Sequence, residues 1–412
     1  MFESLAGNAF SLRLRLKAPI VKAMVQPFCT FLYKSKGIEG ALQHQFGQDA
    51  YLFGPPANGP TDTASPLGAD WVKVGVVSCL EGRNIPILIA NYSRNPSNSE
   101  GGADYLARQD NQEDDFKVWE AARATSAAPV YFEPFTHKQA SYIDGGVARN
   151  NPAQLAFDEY QKIWPDSPQP DVLVSLGTGV VVDPNSGDIH EGDRRMYDTL
   201  MPMIPAGVRR KIETGYDMVK STMDCHKAWV DFKQSISHNR RLVRNCHRLN
   251  VGLTRRVNLD GVQFIDQLQA DSLSYLNPRP KLPYLDEDYG TAFEHLTVVA
   301  RRLLATLFYY KGPLQEQMTT QRVNGWIFCR LRPGSRHAEN LLRENIKFQL
   351  RQVPRDSRRI LKQDVRYKYS EPFDPADLSA DIHFKVDGGL FNRYIVVNLP
   401  GWGNTWEPIS GF

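Results

Sequence analysis

The sequence predicts an α/β chain: an incomplete three-layer sheet with covering helices, then a helical region, then a small C-terminal β domain. Three observations carry this. Short apolar runs bounded by turn residues alternate with small-residue helical stretches over roughly the first 180 positions. A basic, aromatic, helix-like stretch follows. From about residue 326 the pattern switches to short alternating runs.

The elements follow in order. Residues 37–46 read as a helix, with Leu42 and Phe46 four apart on one face. Residues 53–68 are a loop rich in Gly, Pro, Thr and Asn. Residues 71–79 are a strand in which Val72, Val74 and Val76 alternate, and residues 86–91 are a second strand. The polar turn at 81–84 joins the two as a hairpin. After a loop at 95–102, residues 116–128 are helical and Pro129 ends them. Residues 141–144 form a short strand running into Gly145 and Gly146. Residues 151–163 are a helix closed by Trp164 and Pro165, and residues 171–176 are a strand ending in Gly177-Thr178-Gly179. Residues 194–310 read as helical, and 327–331, 346–350, 383–386 and 394–399 as strands. The expected domains are 1–185, 186–315 and 316–412.

Composition narrows the function classes. With 42% hydrophobic and 23% charged residues, the 412-residue chain can bury real cores. A net charge of +3 argues against a dedicated nucleic-acid binder. The charge is uneven, however: residues 209–256 hold twelve Lys and Arg against four acids. That stretch is either a solvated helical face or a peripheral contact for anionic headgroups. The cysteines Cys29, Cys79, Cys225, Cys246 and Cys329 form no CxxC pair, which suits a reducing, cytoplasmic setting. The nine histidines form no HExxH, so neither a metal nor a cofactor is expected. Arg13, Arg15 and Lys17 interrupt the first leucines, so no signal-peptide core forms. No transmembrane segment is expected either. The best apolar stretch, 296–310, contains Arg301 and Arg302 and reads as an amphipathic or buried helix.

Four signatures occur in order. The first is Val118-Trp119-Glu120-Ala121-Ala122-Arg123-Ala124-Thr125-Ser126-Ala127-Ala128-Pro129. Then come Tyr142-Ile143-Asp144-Gly145-Gly146, Asn150-Asn151-Pro152, and Val172-Leu173-Val174-Ser175-Leu176-Gly177-Thr178-Gly179. This block resembles the patatin-like phospholipases, especially the long fungal forms. The resemblance covers residues 30–180 well and 190–310 more weakly.

The resemblance implies hydrolysis of phospholipid or lysophospholipid esters by a Ser-Asp dyad. A serine in a GxSxG elbow attacks the ester, an aspartate in a DGG motif takes its proton, and a glycine-rich loop holds the oxyanion. Of these only the aspartate motif matches, at Asp144, Gly145 and Gly146, which makes Asp144 the expected proton acceptor. A carboxylate suits that role when it lies within hydrogen-bond reach and partial burial raises its pKa. No GxSxG and no GGGxRG run occurs in the 412 residues, so no nucleophile is assigned. The expectation is a chain that begins late, through a truncated gene model, an alternative start or gene decay. Its sheet would then lack strands and expose apolar surface. The alternative is a pseudoenzyme that binds lipid or a partner.

Asp-Gly is also a common turn dipeptide, and Asp387-Gly388-Gly389 repeats the motif. It lies between two alternating runs, a hairpin signal with nothing catalytic around it. Ser126 and Ser175 lie outside any GxSxG and read as structural. Gly177-Thr178-Gly179 lacks the Lys-Ser or Lys-Thr of a phosphate loop.

Overall fold

The computed structural model describes residues 9–10, 31, 33–53, 72–82, 85–92, 104–106, 112–129, 131–165, 167, 169–181, 225–255, 257, 261–276, 292–313, 317–342, 346–354, 360–367, 373–374 and 378–410. The expected loop at 95–102 and most of the one at 53–68 lie outside these residues, as does 209–224 of the basic segment. The chain divides into two compact units. The first comprises residues 1–168, 175–243 and 248–277; the second comprises 169–174, 244–247 and 278–412.

The first unit is built on a five-stranded sheet. Strand β1 (Gly75–Leu80) pairs antiparallel with β2 (Pro86–Ala90), Gly75 opposite Ala90 and Cys79 opposite Pro86. The hairpin expected from the valine alternation is present. Strand β3 (Asp104–Tyr105) lies parallel to β2. Beyond helix α1 (Ser35–Phe46) and helix α2 (Val118–Thr125), β4 (Phe135–His137) and β5 (Ala140–Asp144) complete the order β3-β2-β1-β5-β4. Ser78 faces Asp144 across β1 and β5.

The sheet is covered on both sides, because β2 is apolar at every position. Ile87 and Ile89 pack with Ala121 and Ala124 of α2. Leu88 and Ala90 point the other way and pack with Leu155 of α3 (Ala153–Ile163). An uninterrupted apolar run is what a strand buried on both faces requires. The result is helix, sheet, helix, the mixed α/β arrangement expected.

The stretch 194–310, expected to be helical, supplies strands as well. Residues 173–176 do form a strand, β6 (Leu173–Leu176), but it pairs with β8 (Cys246–Leu249) in a two-stranded sheet. Strand β7 (Val180–Val181) likewise lies parallel to β9 (Gly252–Leu253). Apolar content marks a strand, but it does not choose the partner. Between and beyond these strands lie helices α4 (Cys225–Ser235), α5 (Arg240–Asn245) and α6 (Ile265–Leu276).

In the second unit, helix α7 (Ala292–Ala305) ends earlier than the reading of 296–310 expected. Phe308–Lys311 is instead strand β10, whose aromatic residues suit a strand. It pairs with β12 (Gln321–Cys329). After helix α8 (Arg336–Leu342) come β13 (Lys347–Pro354), β14 (Leu361–Asp364), β15 (Arg366–Tyr367), β16 (Ser379–Val386), β17 (Gly389–Asn398) and β18 (Glu407–Pro408). One sheet has the order β10-β12-β16-β15. The other has the order β11-β17-β13-β14, with β18 on β17 and β11 being Gln317–Met318. Inward residues of both sheets, among them Ile327, Phe384, Leu350 and Ile395, fill one core.

This corrects the reading of Asp387. Strands β16 and β17 belong to different sheets, so Asp387-Gly388 turns a corner between sheets rather than closing a hairpin.

Candidate functional site

Asp144 is the last residue of β5, delivered there by the buried anchors Tyr142 and Ile143. Its N–H donates to the Ala127 carbonyl at 3.1 Å, just past the end of α2. Its side chain turns over the next residues, and Oδ1 accepts the Gly146 N–H at 2.7 Å. The chain then makes one tight turn, in which Ala148 and Arg149 both donate to the Gly145 carbonyl. Gly145 is required there: a Cβ would sit 2.0 Å from the Val77 carbonyl oxygen. Asp144, Gly145 and Gly146 therefore form one rigid corner on β1.

Hydroxyls lock that corner from behind. Ser78 is wholly buried, and its Oγ–H is shared between the carbonyls of Ile143 (2.7 Å) and Ala124 (3.2 Å). Thr125 donates to the Val77 carbonyl. Strand β1, helix α2 and strand β5 are thus tied together within one residue of Asp144. Sequence reasoning passed over Ser78; its signal was one hydroxyl inside an otherwise apolar strand.

Burial makes the charged form of this carboxyl costlier than it would be in water. Burial raises the Asp144 pKa above its ordinary value, and the Gly146 N–H only partly offsets this. The neighbouring Cys79 thiol is pushed up to about 11, chiefly by burial and in part by the Asp144 charge. Cys79 is therefore held as a thiol and is no competing nucleophile.

The other residues singled out by sequence lie elsewhere. Ser126 Oγ donates back along α2 to the Ala122 carbonyl at 2.7 Å. Ser175 is buried, donates to Asn151 Oδ1 (3.1 Å) and accepts from Arg248 Nη1 (2.6 Å). Asn151 Oδ1 also accepts the Ala153 N–H at the start of α3. The loop at Gly177 and Gly179 is filled by Asn250: Gly179 N–H donates to Asn250 Oδ1 at 2.9 Å, leaving no phosphate cradle. Asp387 is engaged by Gln352, which bonds both its N–H (3.0 Å) and its Oδ2 (3.1 Å).

In the basic segment, Arg248 points inward to Ser175, Lys227 pairs with Asp231 at 2.6 Å, and Arg255 lies 3.7 Å above the Phe264 ring. Arg123 was also missed. It is buried and donates to the Glu133 carbonyl at 2.7 Å, bracing the loop between α2 and β4. Among the described residues no cluster of three or more His, Cys, Asp or Glu could hold a metal, and no helix is long and apolar enough to cross a membrane.

Comparison with known proteins follows the same residues. Residues 82–157, which include the Asp144 corner, match the patatin-like phospholipase family. Human calcium-independent phospholipase A2-gamma (Homo sapiens) is 38% identical over 261 residues, 62% of this chain and 26% of the relative. The mouse protein of that name (Mus musculus) is 27% identical over 214 residues, 52% of this chain and 22% of the relative. Phospholipase A I of Arabidopsis thaliana is 45% identical over 83 residues, 20% of this chain and 6% of the relative. The chain thus spans about a quarter or less of these relatives. No solved structure matches it.

Proposed function

We propose, for a chain assigned to the patatin-like phospholipase family by residues 82–157, that it serves a lipid acyl hydrolase as the bearer of the catalytic base, Asp144. In this reading a serine Oγ attacks the carbonyl carbon of a phospholipid or lysophospholipid ester while its proton passes to the Asp144 carboxylate. The C–O bond to the glycerol oxygen breaks, and that oxygen takes the proton from Asp144. Water then cleaves the acyl-serine by the same proton path.

The supporting observation is the corner itself. A carboxyl with a raised pKa is a better proton acceptor than an ordinary aspartate, and the Gly146 N–H fixes its direction. Residues 1–185 would carry this chemistry, with 186–315 and 316–412 as accessory regions. The setting would be cytoplasmic, with the basic stretch 209–256 meeting the membrane periphery. A second reading, a non-catalytic lipid or partner binder, is favoured by one fact: the 412 residues contain no GxSxG.

The test is hydrolysis of a short-chain ester. These 412 residues alone are expected to show no turnover, since a lone general base contributes only about 10²- to 10⁴-fold. Joined to a segment carrying GxSxG and a glycine-rich loop, they should gain activity that Asp144→Asn abolishes. Turnover by the 412 residues that is lost on mutating one of their own serines would overturn the assignment.

A further inference from the structure

The outer face of the sheet β10-β12-β16-β15 is neither apolar like a core nor evenly charged like an ordinary surface. Strand β12 alternates strictly: Val323, Ile327 and Cys329 turn inward, while Arg322, Asn324 and Trp326 are exposed. The register places Lys311 opposite Trp326, Tyr309 opposite Phe328, and Lys385 opposite Arg322. Arg366 lies opposite His383 on the same face. The exposed Arg330 follows at the end of β12, with its guanidinium 5.2 Å from the Tyr309 ring.

Five cations therefore share one face, opposed by Asp381 opposite Trp326 and by Asp374 bridged to Ser379 at the margin. None of the five forms an ion pair among the described residues. Trp326 keeps 46% of its surface exposed in their midst.

From this we infer that the outer face of this sheet docks on a lipid surface bearing anionic headgroups. The charge complementarity is direct: juxtaposed Lys and Arg are drawn to an anionic leaflet. The aromatic residues add the second requirement, since Trp and Tyr settle at the headgroup level with an apolar body and a polar tip.

Single-stranded nucleic acid is the competing partner for an aromatic and basic sheet face, but it needs bare ring faces for bases to stack on. Here Tyr309 and Phe328 stack on each other, 5.3 Å between centroids. Lys311 lies over both rings, at 5.8 and 5.1 Å. The faces of these two rings are taken, so among the described residues of this face Trp326 is the one exposed aromatic left. That is too few for a run of stacked bases, whereas a headgroup layer needs no stacking. The choice of lipid also rests on the acyl-hydrolase reading.

The experiment is co-sedimentation of the full chain with phosphatidylcholine vesicles, with and without phosphatidylserine. Binding is expected only with phosphatidylserine and at low salt. It should be lost near 1 M salt, where the screening length falls to about 3 Å. The exposed double variant Arg322→Glu/Lys385→Glu should weaken binding at least tenfold, since each cation near such a surface is worth about fivefold. Arg322→Lys/Lys385→Arg should retain it.

Circular dichroism and a thermal melt check that the variants fold. If the Glu pair does not, Arg322→Gln/Lys385→Gln gives the same test. Absence of binding, or full binding by the charge-altered variants, overturns the proposal. So does an outcome in which a single-stranded oligonucleotide binds the face and the vesicles do not. Binding with no hydrolysis by the completed enzyme would sink the hydrolase reading and leave this face intact. Hydrolysis of a soluble ester without vesicle binding would do the reverse.

Discussion

The tripeptide Asp-Gly-Gly occurs twice, and the two copies have become different objects. At Asp144 the carboxyl is buried at a strand end, touches its own turn through Gly146, and has its pKa raised. At Asp387 both the backbone and the carboxyl are claimed by one buried side chain, Gln352, and the Asp387 carbonyl takes Arg393 Nη2 at 2.7 Å. The glycines differ as well. Gly145 is there because Val77 leaves no room for a Cβ. Gly389 is there because φ is +121°, while a Cβ would meet nothing closer than Phe391 at 3.4 Å. The first copy is dictated by packing against the sheet, the second by the backbone needed to pass from one sheet to the other. Among the described residues, only the first leaves a carboxyl without a side-chain partner, and a proton acceptor needs that freedom.

The glycines offer the strongest way to break this comparison. Gly145→Ala should cost about 3 kcal/mol, the upper range for an overpacked site, because the Cβ meets backbone that cannot swing away. Gly389→Ala has space and should cost only about 1–2 kcal/mol, the strain of a positive φ. Urea denaturation midpoints measure both. Equal costs would mean that the Asp144 corner is no more tightly packed than the loop at Asp387.

The sequence made part of this contrast legible. Alternating valines and a polar turn identified the β1–β2 hairpin, and residues 141–144 read as a short strand running into two glycines. The sheet corner at Asp387 was not readable, because a hairpin signal is local. Whether β16 and β17 pair is decided by a core drawn from both sheets, including Phe384 and Ile395. The partner of β6 was hidden for a similar reason, since β8 is remote in sequence. Ser78 was overlooked because one hydroxyl barely alters an apolar strand, yet its two carbonyl partners lie on different elements. His247 and His295, wholly buried with ring nitrogens 3.1 Å apart, were likewise unreadable from their separate positions.

The aspartates sharpen the comparison further. The folded-state pKa of Asp144 lies above its ordinary value of 3.8. Over the window from about pH 4 to that raised value, the folded chain binds more protons than the unfolded one. Stability is therefore lost as pH rises through the window. Asp144→Asn removes the buried charge and keeps an acceptor for the Gly146 N–H. The variant should be more stable than the parent near neutral pH, and the gap should close below about pH 4. Thermal melts across that range test it. Parallel curves, or a less stable variant at neutral pH, would show that burial of the carboxylate carries no such cost.

Asp387→Asn should do least. The side chain's bond from Gln352 Nε2 at 3.1 Å ends on Oδ2, and an asparagine carbonyl oxygen can accept it in the same place. The bond from the Asp387 N–H to Gln352 Oε1 and the one from Arg393 to its carbonyl involve only backbone and survive any side-chain change. What is lost is the carboxylate's charge, half-exposed and near the Arg393 guanidinium, whose own pKa is lowered by burial and partly restored by Asp387. A partly solvated pair of this kind is worth about 1 kcal/mol at most. The variant should therefore lie within about 1 kcal/mol of the parent in urea denaturation and leave hydrolysis by a completed enzyme unchanged. If Asp387→Asn abolished that hydrolysis while the fold stayed intact, the catalytic role assigned to the first copy would have to move to the second.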